Sequence, residues 1–476
     1  MKHYESIPAI YTQTGVSRFD GNPLIEALPP LEVSKEKILE RIEFNPPKFT
    51  GADRTKGDLV RIAELSRIAS VIYPFAEYSR TAANATMNLR EAYVARNPLT
   101  PLGQRRRTLI GTMTDEQSLS ASQLRSTALG QTILGVTGSG KTTFGRRFLE
   151  PYCVVIEHTE YRGRPFMCRQ IPVIHMNVMH DATMLSFCIQ FFDAIDRILG
   201  NTHYAREAKS IRRIALMALL AQKVATAVSL GGVFIDDLQH LRAARSGQAE
   251  IVLNFFSQFI ELAGVSIIFA GTPALGPVIE KSVRNVRKMT SGGATSFPLM
   301  GRNDPQWSAF CDALWGYRIV RNLGPLDKST RAAWHNCSGG NPAFTAMSFL
   351  LAQRQEIGSR EVVDSTAFER VAATEMSFLR PAINAVLSKR QNHLERFDDL
   401  VFKGDLDDLR EWVGREESRT EGSKIDPEFE QVQHAEELSK PRKPRVKARS
   451  KSGTGKAHSK TRRPAPEPLP TIAPRI

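Results

Sequence analysis

The chain has 476 residues and a net charge of +14, with 41% hydrophobic and 24% charged residues. That length suggests roughly two to four domains, and the composition supports a sizeable core and excludes wholesale disorder. No run of about 18 uncharged apolar residues occurs, and the opening MKHYESIPAIYTQTG holds no apolar signal region, so a cytoplasmic protein with no membrane partner is expected.

The charge is unevenly placed. Between Lys440 and Ile476 twelve Lys/Arg face one acid, Glu467, so this stretch carries +11 and the other 439 residues about +3. A basic arm of this kind suits nucleic acid or an acidic protein. The five cysteines, Cys153, Cys168, Cys188, Cys311 and Cys337, are odd in number and form no CxxC pair. That spacing argues against a disulfide framework or a zinc module.

Along the chain, residues 1–57 are Pro-rich and weakly periodic and predict an extended segment with one short helix near Ser34–Ile42. Helical apolar spacing follows over 57–96 (Leu59, Ile62, Leu65, Ile68, Ile72, Phe75, Met87, Leu89, Tyr93), and NPLTPLG at 97–103 breaks it. Short β-type runs then alternate with amphipathic helices. The strands are expected at Gln131–Val136, Cys153–Glu157, Ile171–Val178, Gly232–Ile235 and Val265–Ala270. The helices are expected at Lys141–Leu149, Met184–Leu199, Ala205–Leu230, Glu250–Leu262 and Ala274–Met289. Such alternation predicts a parallel sheet in an α/β domain. Residues 306–399 read as helices only, and from Arg415 the chain turns polar and then basic. The expected organisation is an N-terminal segment (1–57), an α/β core with its preceding helices (58–324), a helical lid (325–414) and a disordered basic tail (415–476), with both terminal segments flexible.

The sharpest motif is GVTGSGKT, Gly135–Thr142. It satisfies G-x-x-x-x-G-K-[ST] between a predicted strand and a predicted helix, the context a phosphate loop needs. Gly135, Gly138 and Gly140 allow backbone N–H groups to turn onto phosphates, with Val136, Thr137, Ser139 and Thr143 completing the loop. The helix N-terminus adds its positive end. Lys141 would reach the β- and γ-phosphates of ATP, and Thr142 would ligate Mg2+. In GGVFIDDLQHL an apolar strand ends in Asp236 and Asp237. Asp236 is placed to hold the metal and Asp237 to polarise the attacking water. In VSIIFAGTPAL, Thr272 stands at a strand end as a candidate γ-phosphate sensor, and it also suits the cap of a helix started by Pro273. The next helix carries Arg284, Arg287 and Lys288. Arg287 or Arg284 is a candidate arginine finger toward a neighbouring subunit, with solvated surface charge as the alternative.

Beyond these motifs the chain resembles the TnsC/TniB-like AAA+ regulators of transposition. The resemblance rests on LREAYVARNPLTP (Leu89–Pro101), IEHTEY (Ile156–Tyr161), FFDAIDRILG (Phe191–Gly200), FIDDLQHL, VLNFFSQF (Val252–Phe259), FAGTPAL, QWSAFCDALWGY (Gln306–Tyr317) and SGGNP with FLLAQRQEI, and it covers roughly 58–380. Two departures stand out. Asp237 replaces the usual Glu, and Ala343 and Phe344 occupy the place of a lid arginine after SGGNP. The resemblance implies a P-loop AAA+ core with a small all-α lid and a bacterial, DNA-associated ATPase. It further implies ring or filament homo-oligomers on double-stranded DNA, a target-selector protein met by the N-terminal segment, and a transposase met by the C-terminal tail. Arg162, Arg164 and Arg169 are candidate contacts to DNA phosphates, with loop charges as the alternative.

Overall fold

In the computed structural model of the protein, the described residues are 4–397 except 33, 115–125, 180, 212, 245–246, 280–281, 389, 391–393 and 395. The predicted basic tail lies outside them. The described strands are β1 (Glu5–Pro8), β2 (Gly130–Gly135), β3 (Val154–Tyr161), β4 (Arg164–Gln170), β5 (Val173–Asn177), β6 (Gly232–Asp236), β7 (Ser266–Gly271) and β8 (Ala294–Phe297). Five of them form a parallel sheet in the order β5-β6-β7-β2-β8. Every residue of β2, β6 and β7 is buried, as expected where helices cover both faces of a parallel sheet. The fold is thus the expected α/β architecture with a helical region after it.

Register sets the site. Leu134 lies beside Gly271 and Ile235 beside Phe269. The carboxyl ends of β2, β6 and β7 therefore gather the phosphate loop, Asp236 and Thr272 at one rim, where open α/β sheets bind ligands.

Local signals placed several helices where the sequence predicts them. Met184–Leu199 begins at Thr183, whose side chain accepts from Ser186 N–H, and ends at Gly200 in the left-handed region at φ 69°. Its buried face is Phe187, Cys188, Phe191, Phe192 and Ile195, an i, i+4 stripe packed on the sheet.

Other expectations are corrected. The run Ala205–Leu230 is two helices, His203–Ser210 and Ile214–Ala227, because the backbone is extended at Ile211 and Arg213. The first of these starts on the Asp196 carboxylate, which accepts from Tyr204 and Ala205 N–H. Ala274–Met289 also divides, since Ser282 caps a new helix, Val283–Met289, by accepting from Asn285 N–H. The break at 97–103 is shorter than predicted: Thr100 caps a helix Pro101–Thr112 with proline at its first turn. β3, expected as part of the parallel sheet, belongs instead to a second sheet of order β1-β3-β4. β1, β4 and β8 were not predicted; β1 and β8 carry no continuous apolar run, and the run of β4 is only Phe166–Cys168 after Pro165.

The largest correction concerns the N-terminal segment, which is packed where flexibility was expected. β1 pairs with β3 in parallel, and Phe19, Leu24, Ile25, Leu28, Ile38, Ile42 and Phe49 are buried in the main core. Arg147, on the helix after the phosphate loop, donates to the carbonyls of Arg41, Ile42 and Glu43. Further on, fully buried Arg61 donates to both carboxylate oxygens of Glu361, at 2.7 and 2.6 Å, and to Asp58 at 2.6 Å. Glu361 also accepts from Arg321 and from Gly358 N–H. The helix Asp58–Glu64, which follows the N-terminal segment, is thereby stapled to the helical region.

Breaking a buried pair leaves an uncompensated charge. Glu361→Gln should therefore destabilise the chain by about 3 kcal/mol, measured by urea unfolding at neutral pH. Hydrogen bonding to Arg61 holds the Glu361 carboxyl down to about 2, below its ordinary 4.5. Its contribution is present above pH 4.5 and is lost as pH falls toward about 2. The variant's stability should change less across that window than the wild type's.

Candidate nucleotide site

The phosphate loop turns on two glycines with positive φ, Gly138 at 85° and Gly140 at 98°. A side chain at either would be strained and would also collide: a Cβ at Gly138 would lie 2.6 Å from Asn341 Oδ1, and one at Gly140 would lie 2.3 Å from the Tyr78 hydroxyl. A Cβ at Gly135 would likewise collide with Ser139 Oγ and would lie 2.9 Å from the Phe297 carbonyl. The loop backbone therefore takes a concave path closed to larger residues, the geometry of an anion nest.

Lys141 is 8% exposed, and its ammonium donates to the carbonyls of Gly135 at 2.6 Å and Val136 at 3.0 Å. These are its own loop's acceptors, so the cation stands within the nest. Thr142 donates from its hydroxyl to Asp236 Oδ2 at 2.7 Å, while Asp236 Oδ1 accepts from Asp237 N–H at 3.0 Å. Asp236 is 1% exposed at the end of β6. Among the described residues no group of three His, Cys, Asp or Glu gathers to hold a metal. Thr142 and Asp236 supply two hard oxygen donors, which fits Mg2+ completing its shell with phosphate and water. Ser139 Oγ and Thr272 Oγ1 are buried and lack hydrogen-bond partners, so the rim holds two polar atoms suited to phosphate oxygens.

Asp237 adopts the left-handed conformation at φ 57°. Asp tolerates that region better than longer acidic side chains do, which gives a backbone reason for Asp at this position. Its carboxylate accepts from Gln239 Nε2 at 3.0 Å and from Asn177 Nδ2 at 3.5 Å. Gln239 also accepts from Thr272 N–H at 3.3 Å. Gln239 thus ties the end of β6 to the end of β7, joining the Asp237 carboxylate to the Thr272 turn.

Two contacts come from remote parts of the chain. Tyr78 donates to the Gly140 carbonyl at 3.4 Å, and Asn341 donates to the Thr137 carbonyl at 2.8 Å. A cavity of about 490 Å³ opens beside Thr137, bordered by Asn341, Phe344, Ile383 and Val386, a volume in the range of small-ligand sites.

The structure brings residues 135–143, Asp236, Asp237 and Thr272 together and leaves Arg284 and Arg287 apart. Their helix packs at the opposite end of β2, where the Lys288 carbonyl and Met289 crowd Gly130. Five residues of strand separate that end from Gly135, roughly 17 Å. Arg284 is 65% exposed and 3.4 Å from Glu261, which also pairs with Lys288 at 2.8 Å. Arg287 is exposed. Neither arginine faces its own phosphate loop. Of the hairpin arginines, Arg162 pairs with Glu26 and Arg169 with Glu157, while Arg164 is exposed.

Sequence reasoning missed Tyr78, Asn177, Gln239 and Asn341. Gln239 and Asn341 had a signal, since each follows a flagged motif element and carries both a donor and an acceptor. Tyr78 and Asn177 had none, because only strand order and helix packing bring them to the loop.

Residues 124–279 match the family model of an AAA domain. Over that stretch the chain is similar to AAA domains. The chain also has a likeness to the Walker-type ATPase paby2304 of Pyrococcus abyssi, at 12% identity and a TM-score of 0.37 over 61% of this chain and 76% of that one. No curated protein matches the chain. Among the described residues no helix is long and apolar enough to cross a membrane.

Proposed function

We propose that this chain is an ATP-dependent, DNA-binding AAA+ regulator of transposition that assembles on duplex DNA and links target-site selection to a transposase. The nucleotide half rests above all on the Thr142–Asp236 hydrogen bond of 2.7 Å at the mouth of the glycine loop, which joins the two metal-holding groups of a P-loop ATPase. The transposition half is supported by the segments that resemble TnsC and TniB, by the +11 of the last residues and by the exposed Arg164 on the β3–β4 hairpin.

In this proposal the N–H groups around Gly138 and Gly140 cradle the phosphates, and Lys141 exchanges its two loop carbonyls for phosphate oxygens. Thr142 and Asp236 would hold Mg2+, which when bound would supply positive charge to offset that of the phosphates. Asp237 orients the attacking water and accepts its proton, with Gln239 and Asn177 fixing the carboxylate. Thr272 donates to the γ-phosphate. Hydrolysis is slow and regulatory, since the short Asp237 side chain is already shared by two amides. Arg287 or Arg284 completes the pocket of the next subunit, so assembly depends on nucleotide. DNA is held through its phosphates with little base readout. The N-terminal segment meets the target selector, and the basic tail meets the transposase.

Asp237→Asn keeps the side-chain shape and suits the left-handed backbone. It should bind ATP normally and lower turnover by about 10²- to 10⁴-fold, measured as phosphate release with and without DNA. Unchanged turnover would remove Asp237 from the catalytic role.

The deciding experiment is electron microscopy of the full chain with duplex DNA in ATP, a non-hydrolysable analogue or ADP. Ordered assemblies on DNA with triphosphate alone are expected. Assembly without nucleotide, or none on DNA, would overturn the proposal.

A further inference from the structure

Asn341 is 2% exposed and stands at the head of the helix Pro342–Glu356. Its side chain does two things at once. Oδ1 accepts from the N–H groups of Ala343 at 3.0 Å and Phe344 at 3.3 Å, capping the helix. Nδ2 donates to the Thr137 carbonyl of the phosphate loop at 2.8 Å. Beside it, Ala343 N–H also donates to the Gly138 carbonyl at 3.1 Å.

These bonds bear on what the loop can offer a phosphate. A trans peptide is planar, with its C=O and N–H pointing opposite ways. Holding the Thr137 carbonyl toward the lid therefore turns the Gly138 N–H away from the lid. Holding the Gly138 carbonyl does the same for the next peptide, whose Ser139 N–H closes onto the Val136 carbonyl at 3.1 Å. On the other side, the Asn341 carbonyl accepts from Thr345 Oγ1 at 2.7 Å, and the Thr345 carbonyl accepts from buried Trp334 Nε1 at 3.0 Å. The turn before Asn341 is fixed as well: Met300 N–H donates to the Gly340 carbonyl at 3.2 Å. A continuous set of hydrogen bonds thus runs from the phosphate loop to the aromatic core of the helical region.

We infer that Asn341 is a positioning residue that couples the shape of the phosphate loop to the helix Pro342–Glu356, at the point where Ala343 and Phe344 leave no cationic side chain to touch a phosphate. The inference rests on the nucleotide reading of the loop. Because Asn341 holds the loop backbone and not the nucleotide, the coupling responds to loop shape. ADP and ATP should therefore both engage it.

The test uses the full chain and Asn341→Ser, which keeps a helix cap but is too short to reach Thr137. Its thermal midpoint should stay near the wild type's. Affinity for fluorescent ADP and for a non-hydrolysable ATP analogue should fall by the same factor, about three- to tenfold for one lost hydrogen bond. At saturating nucleotide, slowing of amide exchange in 342–356 should be strong in the wild type and absent in the variant. Asn341→Asp keeps the cap and loses the donor, and it should lose the same protection if serine lowers helix stability. Wild-type affinities and full protection in both variants would overturn the inference while leaving the ATPase reading intact. Weakened binding of the triphosphate analogue alone would also overturn it, since that marks a γ-phosphate contact. A wild-type chain that binds neither nucleotide would overturn the ATPase reading itself, and this inference with it.

Discussion

Lys141→Ala should bind ATP about two orders of magnitude more weakly than the wild type and show no nucleotide-dependent assembly on DNA. The ammonium is held inside the nest by the Gly135 and Val136 carbonyls at 2.6 and 3.0 Å, and it is the cation of the loop motif itself. A charge-assisted hydrogen bond of this type contributes roughly 1.5–3 kcal/mol, and a triphosphate takes more than one, so a hundredfold loss is the expected scale. The fold should survive, since Phe144, Phe148 and Leu149 anchor the same helix in the core. Titration with a fluorescent ATP analogue, with circular dichroism as the control for folding, measures both. Retention of ATP-dependent DNA binding would remove the phosphate loop from the switch.

Arg287→Ala should show the complementary defect. Its helix lies at the far end of β2 from the phosphate loop, so its guanidinium does not serve its own pocket. The variant should bind ATP normally, hydrolyse little and assemble poorly. Arginine fingers supply up to about 10³–10⁵ in rate. Mixing Arg287→Ala with Lys141→Ala should restore activity at interfaces where an intact pocket meets an intact finger. Arg284 lies one turn away, within reach of Glu261 at 3.4 Å, and is tested in parallel. No rescue with either arginine, or loss of ATP binding in either single variant, would assign this helix to surface charge.

The parts of this protein written in the sequence are those whose determining contacts are local. The phosphate loop is legible because Lys141 bonds carbonyls five and six residues away and because positive φ at Gly138 and Gly140 requires glycine. The helix Met184–Leu199 is legible to the residue, because Thr183 caps one end and Gly200 terminates the other. The buried strands β2, β6 and β7 announce themselves as short apolar runs, and the paired acids Asp236 and Asp237 mark the end of β6.

Tertiary structure decided what local pattern does not encode. The N-terminal segment looks extended because its apolar residues have no period, yet it is ordered by distant partners, β3 for β1 and Arg147 for the carbonyls of Arg41, Ile42 and Glu43. β3 opens with the apolar run Val154–Ile156, but its hydrogen-bonding edges are taken by β1 and β4, which carries it out of the parallel sheet. The site shows the same division. Its glycine-loop residues are contiguous and were predicted, whereas Tyr78 reaches Gly140 from 62 residues away and Asn341 reaches Thr137 from 204. Those partners depend on how helices pack over the finished sheet, because a single buried amide leaves no periodic trace in the chain and gains its meaning only from the carbonyl that the fold sets opposite it.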